Sequence, residues 1–480
     1  MNRSLKSAAF AILVVTAAAM LTACSAMGAW DIIAGQFGTN PPVELTLYAA
    51  EGQPQVSLYW AGPSSLKTGY EIHRATSPGA AGSGDPLATL AGSLGENTFV
   101  DDTALSGTRY YYVVRAISAG EVTDESNEAS AMPRALTAVV DPAFLFVDPA
   151  AIPGGDGSSQ NPFDTIAAAV AAVASGGTVL LLDGTYNLAS AILLGNPVEI
   201  RSVTGSYRYS NAILDGGGNA ISAIECNAGS DGSTIRGLEL TDFARNSDQS
   251  SGIIKVGGAS NPADISILDN HLHDNIGVSI SNFSDTVIST GTRIAGNRIE
   301  NQTVKGAGIS VRRLQDGFIE DNILDTMISA GIQVDNSTGF SVARNQVRNT
   351  QGHGINLGPN GAFTVTDNIV ENCNLAHGAN SGGIRFYGAQ ITGTVTISGN
   401  TVSNCFNNIS QRDDAGTIFA GISVHNNSIL APVAGSMLIY NGVALGTLDA
   451  RFNWFGSAGG PDPSLISPNV DYSSWLTSAP

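Results

Sequence analysis

The sequence predicts an all-β protein whose larger part is a parallel β-helix, preceded by a small β-sandwich. Glycine is abundant, with 56 of the 480 residues, and charged residues make up only 13% of the chain. This composition is too apolar for a disordered chain and too rich in glycine for a helical one. Short alternating strands fill the segment 41–135, and a unit of about 25 residues then repeats towards the C-terminus. Repeats of this period indicate stacked coils.

The N-terminus has the pattern of an export signal. Arg3 and Lys6 form a basic start, and the apolar stretch 8–20 is too short to span a membrane. It ends in Leu21-Thr22-Ala23-Cys24, which resembles a bacterial lipobox, and this resemblance implies a signal peptide at 1–23 and lipidation of Cys24 on a tether at 24–40. Ser25 after the cysteine favours the outer membrane or cell surface as the location. An ordinary cleaved signal is the alternative.

The charge of the chain limits its partners. Lys and Arg number 22 against 41 Asp and Glu, which gives a formal net charge of −19. Nucleic acid is not expected as a partner, because phosphate binding needs a basic surface. An anionic polysaccharide would be repelled unless a cation such as Ca²⁺ bridged the charges.

The segment 41–135 alternates apolar and polar residues in short strands, as a β-sandwich does. Its details resemble a fibronectin type III domain. Trp60 falls where that family has a core tryptophan, Leu105 and Tyr110 match its "L-x-x-x-x-Y" corner, and 126–130 resembles its last strand. The resemblance implies a spacer. The predicted strands are 56–60, 69–74 and 109–116.

The segment 136–480 opens with a Gly-rich turn at 153–158, then a short helix predicted at 166–174 with Asp164 or Thr165 as its N-cap. A run ending in Gly184-Thr185-Tyr186 follows. This succession resembles the opening of pectate-lyase-like proteins. It implies a right-handed parallel β-helix of about a dozen coils in which the helix caps the end, since the first coil has no neighbour to cover its core.

The repeat itself has two parts. A "D/G-N-x-hydrophobic" unit recurs at spacings of 27, 25, 23, 23, 32 and 27 residues, and a "G-I-x-V" unit recurs between its copies. Asn tolerates the left-handed conformation of a turn and can pass hydrogen bonds to the Asn of the next coil. We therefore interpret the Asn column as structural. It comprises Asn270, Asn297, Asn322, Asn345, Asn368, Asn400 and Asn427.

Three cysteines lie beyond Cys24, which is too few for a disulfide framework. Cys373 and Cys405 each follow a repeat Asn by five residues, so we expect them on adjacent coils. Stacked side chains point in parallel, which favours two thiols over a disulfide.

The "G-I-x-V" strands predict two outward columns of polar side chains. They hold cations, a carboxylate, amides and one aromatic ring beside Gly358, which suit a sugar ring. Asp335, Asp413 and Asp414 are weak candidates for a Ca²⁺ site. The alternative is a solvated face on which Arg312 and Asp335 form a cross-strand ion pair. The candidate ligand or catalytic residues are Arg312, Asp335, Asn356, Arg385, Tyr387 and Arg412.

Known catalytic patterns are incomplete. Gly352-His353-Gly354 matches a fragment of the polygalacturonase motif, but the acids of a two-carboxylate hydrolase are missing, and His353 occupies the repeat position of Ala307 and Ala330. No His/Cys cluster has zinc-ligand spacing along the chain.

Three functions therefore remain open. The first is a membrane-anchored β-helix that interacts with a cell-surface or environmental polysaccharide, which the pectate-lyase resemblance implies. The second is a polysaccharide lyase or glycoside hydrolase, in which Arg312 or Arg385 would be the base and a cation would neutralise a uronate. The third is a non-catalytic structural or adhesive rod.

Overall fold

A computed structural model describes residues 45–480 except 51–53, 62–68, 92–95, 246–250, 258–261, 303, 305, 359–360, 375–381, 388–392, 413–420 and 443–446. The predicted signal peptide, the predicted tether and Cys24 lie outside these residues. The described chain divides into two compact units, one within 45–131 and one that contains 132–480. Within the described ranges, no helix is long and apolar enough to cross a membrane.

The smaller unit is an antiparallel β-sandwich. One sheet has the order β1-β2-β5, and the other has the order β4-β3-β6-β7 with β8 added to β6. The three predicted strands are confirmed to within two residues. The strands are β1 (Thr46–Ala49), β2 (Val56–Ala61), β3 (Gly69–Ala75), β4 (Ala88–Ala91), β5 (Glu96–Asp101), β6 (Tyr110–Ser118), β7 (Glu121–Glu125) and β8 (Ala129–Ala131), with a 3₁₀ turn at Ala81–Ser83.

Aromatic side chains fill the core of the sandwich. Trp60, Tyr70 and Tyr112 are fully buried, and the rings of Trp60 and Tyr70 meet edge to face with centroids 5.5 Å apart. Tyr110 is also buried, as the corner resemblance implies. Leu105 is 68% exposed, so it does not pack as a corner leucine. The resemblance is wrong at that position because the loop turns this side chain to solvent.

The larger unit is a right-handed parallel β-helix. Ten successive coils each contribute one strand to each of three parallel sheets in the chain order sheet 1, sheet 2, sheet 3, and the three further strands of sheet 1 lie at its ends. Sheet 1 has 13 strands and sheets 2 and 3 have 10 each, close to the predicted dozen coils. Fold class and handedness agree with the sequence prediction.

The strands of the three sheets have the following bounds. Sheet 1 consists of β9 (Phe144–Val147), β10 (Gly177–Leu181), β13 (Val198–Ser202), β16 (Thr234–Arg236), β19 (Ser266–Leu268), β23 (Arg293–Ala295), β27 (Phe318–Glu320), β30 (Phe340–Ala343), β33 (Phe363–Thr366), β36 (Val395–Ser398), β39 (Ile422–His425), β42 (Leu448–Asp449) and β43 (Val470–Asp471). Sheet 2 consists of β11 (Gly184–Asn187), β14 (Ala212–Asp215), β17 (Glu239–Thr241), β20 (His271–His273), β24 (Arg298–Glu300), β28 (Ile323–Met327), β31 (Gln346–Thr350), β34 (Ile369–Glu371), β37 (Thr401–Ser403) and β40 (Ser428–Ile429). Sheet 3 consists of β12 (Ile192–Leu194), β15 (Ile224–Cys226), β18 (Ile254–Val256), β21 (Ile280–Phe283), β25 (Ile309–Arg312), β29 (Ile332–Asp335), β32 (Ile355–Gly358), β35 (Ile384–Phe386), β38 (Ile409–Gln411) and β41 (Ile439–Asn441). A side pair is formed by β22 (Ser289–Thr290) and β26 (Leu314–Gln315), and 3₁₀ turns lie at Tyr207–Tyr209 and Pro463–Leu465.

A short helix, α1 (Ile166–Ala172), lies against the first coils. Its N-cap is Thr165, whose Oγ accepts a hydrogen bond from the backbone N–H of Ala168. Ile166, Ala169 and Val170 form the buried face of the helix. The predicted capping helix is therefore present and ends two residues earlier than expected.

Isoleucine stacks position sheet 3. Every strand of this sheet begins with an Ile, from Ile192 on β12 to Ile439 on β41, and each of these side chains is buried in the core. A buried side chain of this size contributes about 1.5–3 kcal/mol relative to an exposed one. Because side chains alternate along a strand, this inward column fixes the outward direction of the residue that follows each Ile.

The repeat asparagines form a continuous hydrogen-bonded ladder inside the coil. Each side-chain Nδ2 donates to the Oδ1 of the Asn one coil further on, at 2.9–3.0 Å, and the same Oδ1 accepts from a backbone N–H. All seven predicted residues are fully buried, and Asn453 extends the ladder by one coil.

The left-handed backbone position lies one residue earlier than the sequence analysis placed it. Asp269, Asp321, Asp367 and Asn426 have φ between +52° and +58°, and each directly precedes a ladder Asn. The ladder Asn must direct its amide into the core, so the turn is made by its neighbour. Gly296 and Gly399 take the same role on two other coils, where the same conformation costs glycine little.

Cys373 and Cys405 are buried and not disulfide-bonded. The backbone N–H of Cys373 donates to Sγ of Cys405 on the next coil. Burial and the nearby Cys373 thiol raise the pKa of Cys405, which favours the thiol form of that side chain. This arrangement is the thiol stack that the sequence favours.

Candidate functional site

Sheet 3 brings the predicted outward residues into two parallel columns. In the first column Ser310, Gln333, Asn356, Arg385 and Ser410 are successive register partners. In the second column Arg312 pairs with Asp335 and Asp335 pairs with Gly358, and Tyr387 follows the end of β35. We call Asp335, Asn356, Arg385 and Tyr387 the strip, because the structure joins these four by contacts.

Arg385 is the centre of the strip. One terminal nitrogen of its guanidinium donates to Oδ1 of Asn356 at 2.9 Å and lies 3.3 Å from Nε2 of His353. Its Cζ lies 4.6 Å from the centroid of the Tyr387 ring. Arg385 is only 6% exposed and Asn356 only 4%. A buried cation held by an amide and an aromatic ring has a fixed position.

Tyr387 connects the strip across two coils. Its hydroxyl donates to Oδ1 of Asp335, and the side chain of Gln333 donates to Oδ2 of the same carboxylate at 2.9 Å. Tyr387 lies over Gly358, where an added Cβ would come within 2.8–3.1 Å of two ring carbons and the hydroxyl oxygen. Gly358 is therefore the gap that lets the tyrosine reach Asp335.

His353 belongs to this site although the sequence analysis dismissed it as a replacement for alanine. Burial, together with the positive charges of Arg385 and Arg412, lowers the pKa of His353 to about 3. The imidazole is therefore neutral at neutral pH, and an unprotonated ring nitrogen can accept a hydrogen bond from Arg385. The sequence signal was present, because Gly352-His353-Gly354 puts a titratable residue where the two previous coils have alanine.

Arg312 lies apart from the strip. Its guanidinium is 3.3 Å from Oδ1 of Asp285 and its Cζ lies 5.3 Å from the Phe283 ring centroid. The expected ion pair between Arg312 and Asp335 is wrong, because Asp335 accepts from Tyr387 and Gln333 instead. Register alone placed the two residues side by side, but the longer Arg side chain turns to the preceding coil.

Arg412 follows β38 and is exposed, and its charge reaches His353. Asp413 and Asp414 lie outside the described residues. Asp335 belongs to no group of three or more possible metal ligands within the described residues. The Ca²⁺ site suggested from the sequence therefore has no support from Asp335.

The strip offers binding groups more clearly than catalytic ones. A guanidinium stays protonated in proteins, so Arg385 is a donor and a positive charge but not a base. An imidazole with a pKa near 3 is a weak base at neutral pH. Glycoside hydrolysis by the usual route needs two carboxyl groups, and Asp335 is the one carboxylate among the four strip residues.

A second polar cluster, which the sequence analysis missed, lies on the outer face of sheet 2. His271 and His273 are alternate residues of β20, and Nε2 of His273 is 3.0 Å from Oε1 of Glu239 on the preceding coil. One donor atom from each of Glu239, His271 and His273 lies within 4.8 Å of the others. Spacing along the chain could not indicate this cluster, because stacking brings together residues 32 positions apart. The signal was the His-x-His alternation directly after ladder residue Asn270.

Neighbouring charges hold this cluster. Nε2 of His271 is 2.9 Å from Oε1 of Glu300, and Arg298 is 2.6 Å from the other oxygen of Glu300. These hydrogen bonds, with that of His271 the strongest influence, lower the pKa of Glu300 to about 2 although burial opposes them. Burial alone would lower the pKa of His273, but hydrogen bonds to Asp274 and Glu239 outweigh it and raise this pKa.

Comparison with known proteins agrees with the architecture. The family described as "Right handed beta helix region" matches residues 251–429, which all lie in the larger unit. YwoF, an uncharacterized protein of Bacillus subtilis (strain 168), is 27% identical over 223 residues, which are 45% of this chain and 43% of YwoF. The chain therefore spans less than half the length of that relative.

Two solved structures are among the similar ones. The catalytic unit of a thermostable GH87 alpha-1,3-glucanase from Streptomyces thermodiastaticus strain HF3-3 is 16% identical, with 90% of this chain and 91% of that chain covered and a TM-score of 0.40. Pectate lyase Pel9A is 15% identical, with 72% of this chain and 80% of that chain covered and a TM-score of 0.37.

Proposed function

We propose that this protein is an exported, lipid-anchored β-helix that binds saccharide at the strip and does not turn it over. The observation that carries the proposal is the buried guanidinium of Arg385, held between Asn356, His353 and the Tyr387 ring on the outer face of sheet 3. The outer face of a solenoid needs no buried cation for stability, and taking a charge out of water costs free energy that its hydrogen bonds only partly return. A binding role accounts for this cost.

The rigidity of the strip favours binding. Asp335, Asn356 and Arg385 lie on β29, β32 and β35, whose register is fixed by the isoleucine column beneath them, and Tyr387 directly follows β35. A site built on sheet strands has its donors and acceptors in place before the ligand arrives, so little ordering free energy is lost on association. Tyr387 and Gln333 are partly exposed and can meet the ligand.

The charge of the strip favours a saccharide with a carboxylate group. Arg385 and the exposed Arg412 place two cations near one another on a chain of net charge −19. A guanidinium pairs with a planar carboxylate through two parallel hydrogen bonds. A neutral sugar would depend on the Tyr387 ring and on hydroxyl contacts to amides. We therefore expect a uronate-containing polysaccharide to bind more tightly than a neutral one.

Co-sedimentation tests this proposal. The full chain is mixed with a panel of insoluble or gelled polysaccharides, acidic and neutral, with and without Ca²⁺. Ultraviolet absorbance reports unsaturated ends from a lyase, and a reducing-sugar assay reports hydrolysis. We expect binding of an acidic polysaccharide and no new ends. New ends would establish the enzymatic alternative, and no binding across the panel would favour the structural rod.

Variants locate the binding site. Arg385→Gln removes the buried charge and Tyr387→Ala removes the ring, so each should weaken binding about tenfold or more. Arg344→Gln is the control, because Arg344 is an exposed, ion-paired arginine in the turn directly after β30 of sheet 1. Binding that is equally weakened in all three variants, or unchanged in all three, contradicts a site at the strip.

The lipid anchor and the spacer are part of the proposal. The sequence Leu21-Thr22-Ala23-Cys24 supports lipidation of Cys24, and two or more acyl chains hold a protein stably at a membrane. Growth with an alkyne-bearing fatty acid should label the wild-type chain, and Cys24→Ser should abolish both the label and membrane fractionation. Labelling that persists in Cys24→Ser rules out this anchor. The two-sheet topology and buried Trp60 support a fibronectin type III-like spacer in the smaller unit.

A further inference from the structure

The cluster on sheet 2 has the donor set of a transition-metal site. Its three members are the imidazoles of His271 and His273 and the carboxylate of Glu239, and one donor atom of each lies within 4.8 Å of the other two. Two imidazoles and one carboxylate suit Zn²⁺ and similar first-row cations, whereas Ca²⁺ and Mg²⁺ prefer oxygen ligands alone.

The coil geometry brings these donors together. Glu239 on β17 and His271 on β20 are direct register partners on adjacent coils. His273 is two residues further along β20, so both imidazoles point to the outer face, and their ring centroids lie 4.4 Å apart. The Tyr207 ring packs against His271 with centroids 5.3 Å apart and shields one side of the cluster. The backbone therefore holds the three donors without a flexible loop.

A separate observation points to an ion, namely the carboxylates behind the two imidazoles. Nε2 of His271 lies 2.9 Å from Glu300, and Nδ1 of His273 lies 2.7 Å from Asp274. Histidines that bind metal usually donate their other ring N–H to a carboxylate, which orients the ring and strengthens its donor nitrogen. Each imidazole here has one nitrogen hydrogen-bonded in this way and a second nitrogen for a cation.

We propose that Glu239, His271 and His273 form a binding site for a divalent transition cation such as Zn²⁺. Nε2 of His273, a carboxylate oxygen of Glu239 and Nδ1 of His271 are the protein ligands. Glu300, which Arg298 holds in place at 2.6 Å, and Asp274 orient the two rings. With three protein ligands, a tetrahedral ion keeps one position for water or another ligand. The site joins two adjacent coils and is separate from the strip on sheet 3.

The competing interpretation is an ion-pair network that needs no metal. His273 pairs with Glu239 and His271 pairs with Glu300 in that case, as partly buried pairs on the outer face of sheet 2. The two interpretations differ in a measurable way. A metal site saturates at one cation per chain and selects Zn²⁺ or Co²⁺ over Ca²⁺, whereas an ion-pair network binds none of them tightly.

Direct metal titration tests the proposal. The full chain is stripped with a chelator, dialysed and titrated with Zn²⁺ by calorimetry, and with Co²⁺ while the visible absorption spectrum is recorded. We expect one Co²⁺ per chain with the intense bands of a low-coordinate nitrogen and oxygen site, displaced by Zn²⁺ and not by Ca²⁺. No saturable binding at equimolar metal would overturn the proposal, and so would a site of six oxygen ligands.

Four variants test whether Zn²⁺ binds at this cluster and not at another histidine of the chain. His273→Gln and Glu239→Gln remove ligands, and each should weaken Zn²⁺ binding more than Glu300→Gln, for which a loss of about 10- to 100-fold is expected. His425→Gln is the control, because His425 also contacts a carboxylate, Asp449, at 2.9 Å but lies on sheet 1.

The outcomes are distinguishable even where a variant folds poorly. Circular dichroism of each metal-stripped variant checks folding. If a ligand variant does not fold, two other measurements test the metal site. One is the Zn²⁺ affinity of Glu300→Gln, which removes no ligand, and the other is X-ray absorption of the wild-type complex. A spectrum without two imidazole ligands, or a loss of affinity in His425→Gln equal to that in His273→Gln, overturns the assignment.

Discussion

The Asn ladder and the strip both use stacked polar side chains, but they follow opposite rules. Ladder positions repeat one residue type over eight coils, and each Asn is the partner of the next. The first outward column of sheet 3, which supplies two residues of the strip, changes type at every coil, so that Gln333, Asn356 and Arg385 succeed one another in register. Identical residues stack where each one satisfies its neighbour. Different residues stack where the side chains must bind groups other than the same residue on the next coil.

Breaking the ladder should have the largest effect. Asn345→Ala removes hydrogen bonds in both directions, because Oδ1 of Asn345 accepts from the side chain and backbone of Asn322 and its Nδ2 donates to Asn368. The buried groups left without partners should lower the free energy of unfolding by about 3 kcal/mol. Urea unfolding followed by circular dichroism measures this change.

An exposed asparagine in the same fold is the control for the ladder. Asn187→Ala on β11 removes a solvent-exposed amide, and the expected change is within about 0.5 kcal/mol. Equal effects of the two substitutions would mean that a buried ladder Asn contributes no more to the free energy of unfolding than an exposed Asn. Saccharide binding below the unfolding transition should be unchanged in Asn345→Ala, because this residue does not contact the strip.

The same contrast explains which parts of the fold and of the candidate site the sequence could predict. The inward Ile and Asn recur at coil spacing, so the stacked coils and the columns of sheet 3 followed from periodicity. The handedness and the capping helix followed from the resemblance to pectate-lyase-like proteins. Contacts between side chains of different types do not recur at a fixed spacing, so a repeat in the sequence does not predict them. The sequence therefore misplaced the partner of Arg312, dismissed His353, and missed a cluster whose members Glu239 and His271 are 32 residues apart. The left-handed residue was also misplaced by one, since periodicity does not tell which residue of a turn takes positive φ.

Filling the gap under Tyr387 should have the next largest effect. Gly358→Ala places a methyl group within about 3 Å of the tyrosine ring, and overpacking of this kind costs about 1–3 kcal/mol. The ring must move, so we expect the hydrogen bond to Asp335 to be lost and saccharide binding to weaken together with stability. Thermal unfolding and co-sedimentation measure the two effects on the same protein.

A glycine with open surroundings separates crowding from a general effect of the substitution. Gly195→Ala adds the same methyl group on an exposed segment where no atom lies within 4 Å. It should leave both stability and binding unchanged or slightly improve stability, because alanine restricts the unfolded chain. Unchanged binding in Gly358→Ala would show that the position of Tyr387 does not matter for the ligand.

The smallest expected effect is the pH dependence that His353 adds to the strip. Its pKa is about 3 in the folded protein and about 6.5 in an unfolded chain. Between these values the unfolded state binds a proton that the folded state does not, so stability falls as the pH is lowered through 6.5 towards 3. The limit is about 1.4 kcal/mol per pH unit, and we expect about 1 kcal/mol in total between pH 7.5 and pH 5 because the ring is partly exposed to solvent.

His353→Ala isolates this contribution, since Ala307 and Ala330 already occupy the same position on the two preceding coils. Other titrating groups change the stability of both proteins alike, so the difference between the two urea-unfolding profiles from pH 7.5 to pH 5 belongs to His353. We expect the variant to lose less stability than the wild type on acidification. Parallel profiles would mean that the imidazole titrates normally and is not held neutral beside Arg385. A steeper profile for the variant would mean that the His353 proton is bound more tightly in the folded state, and that Arg385 is not the neighbour that sets its charge.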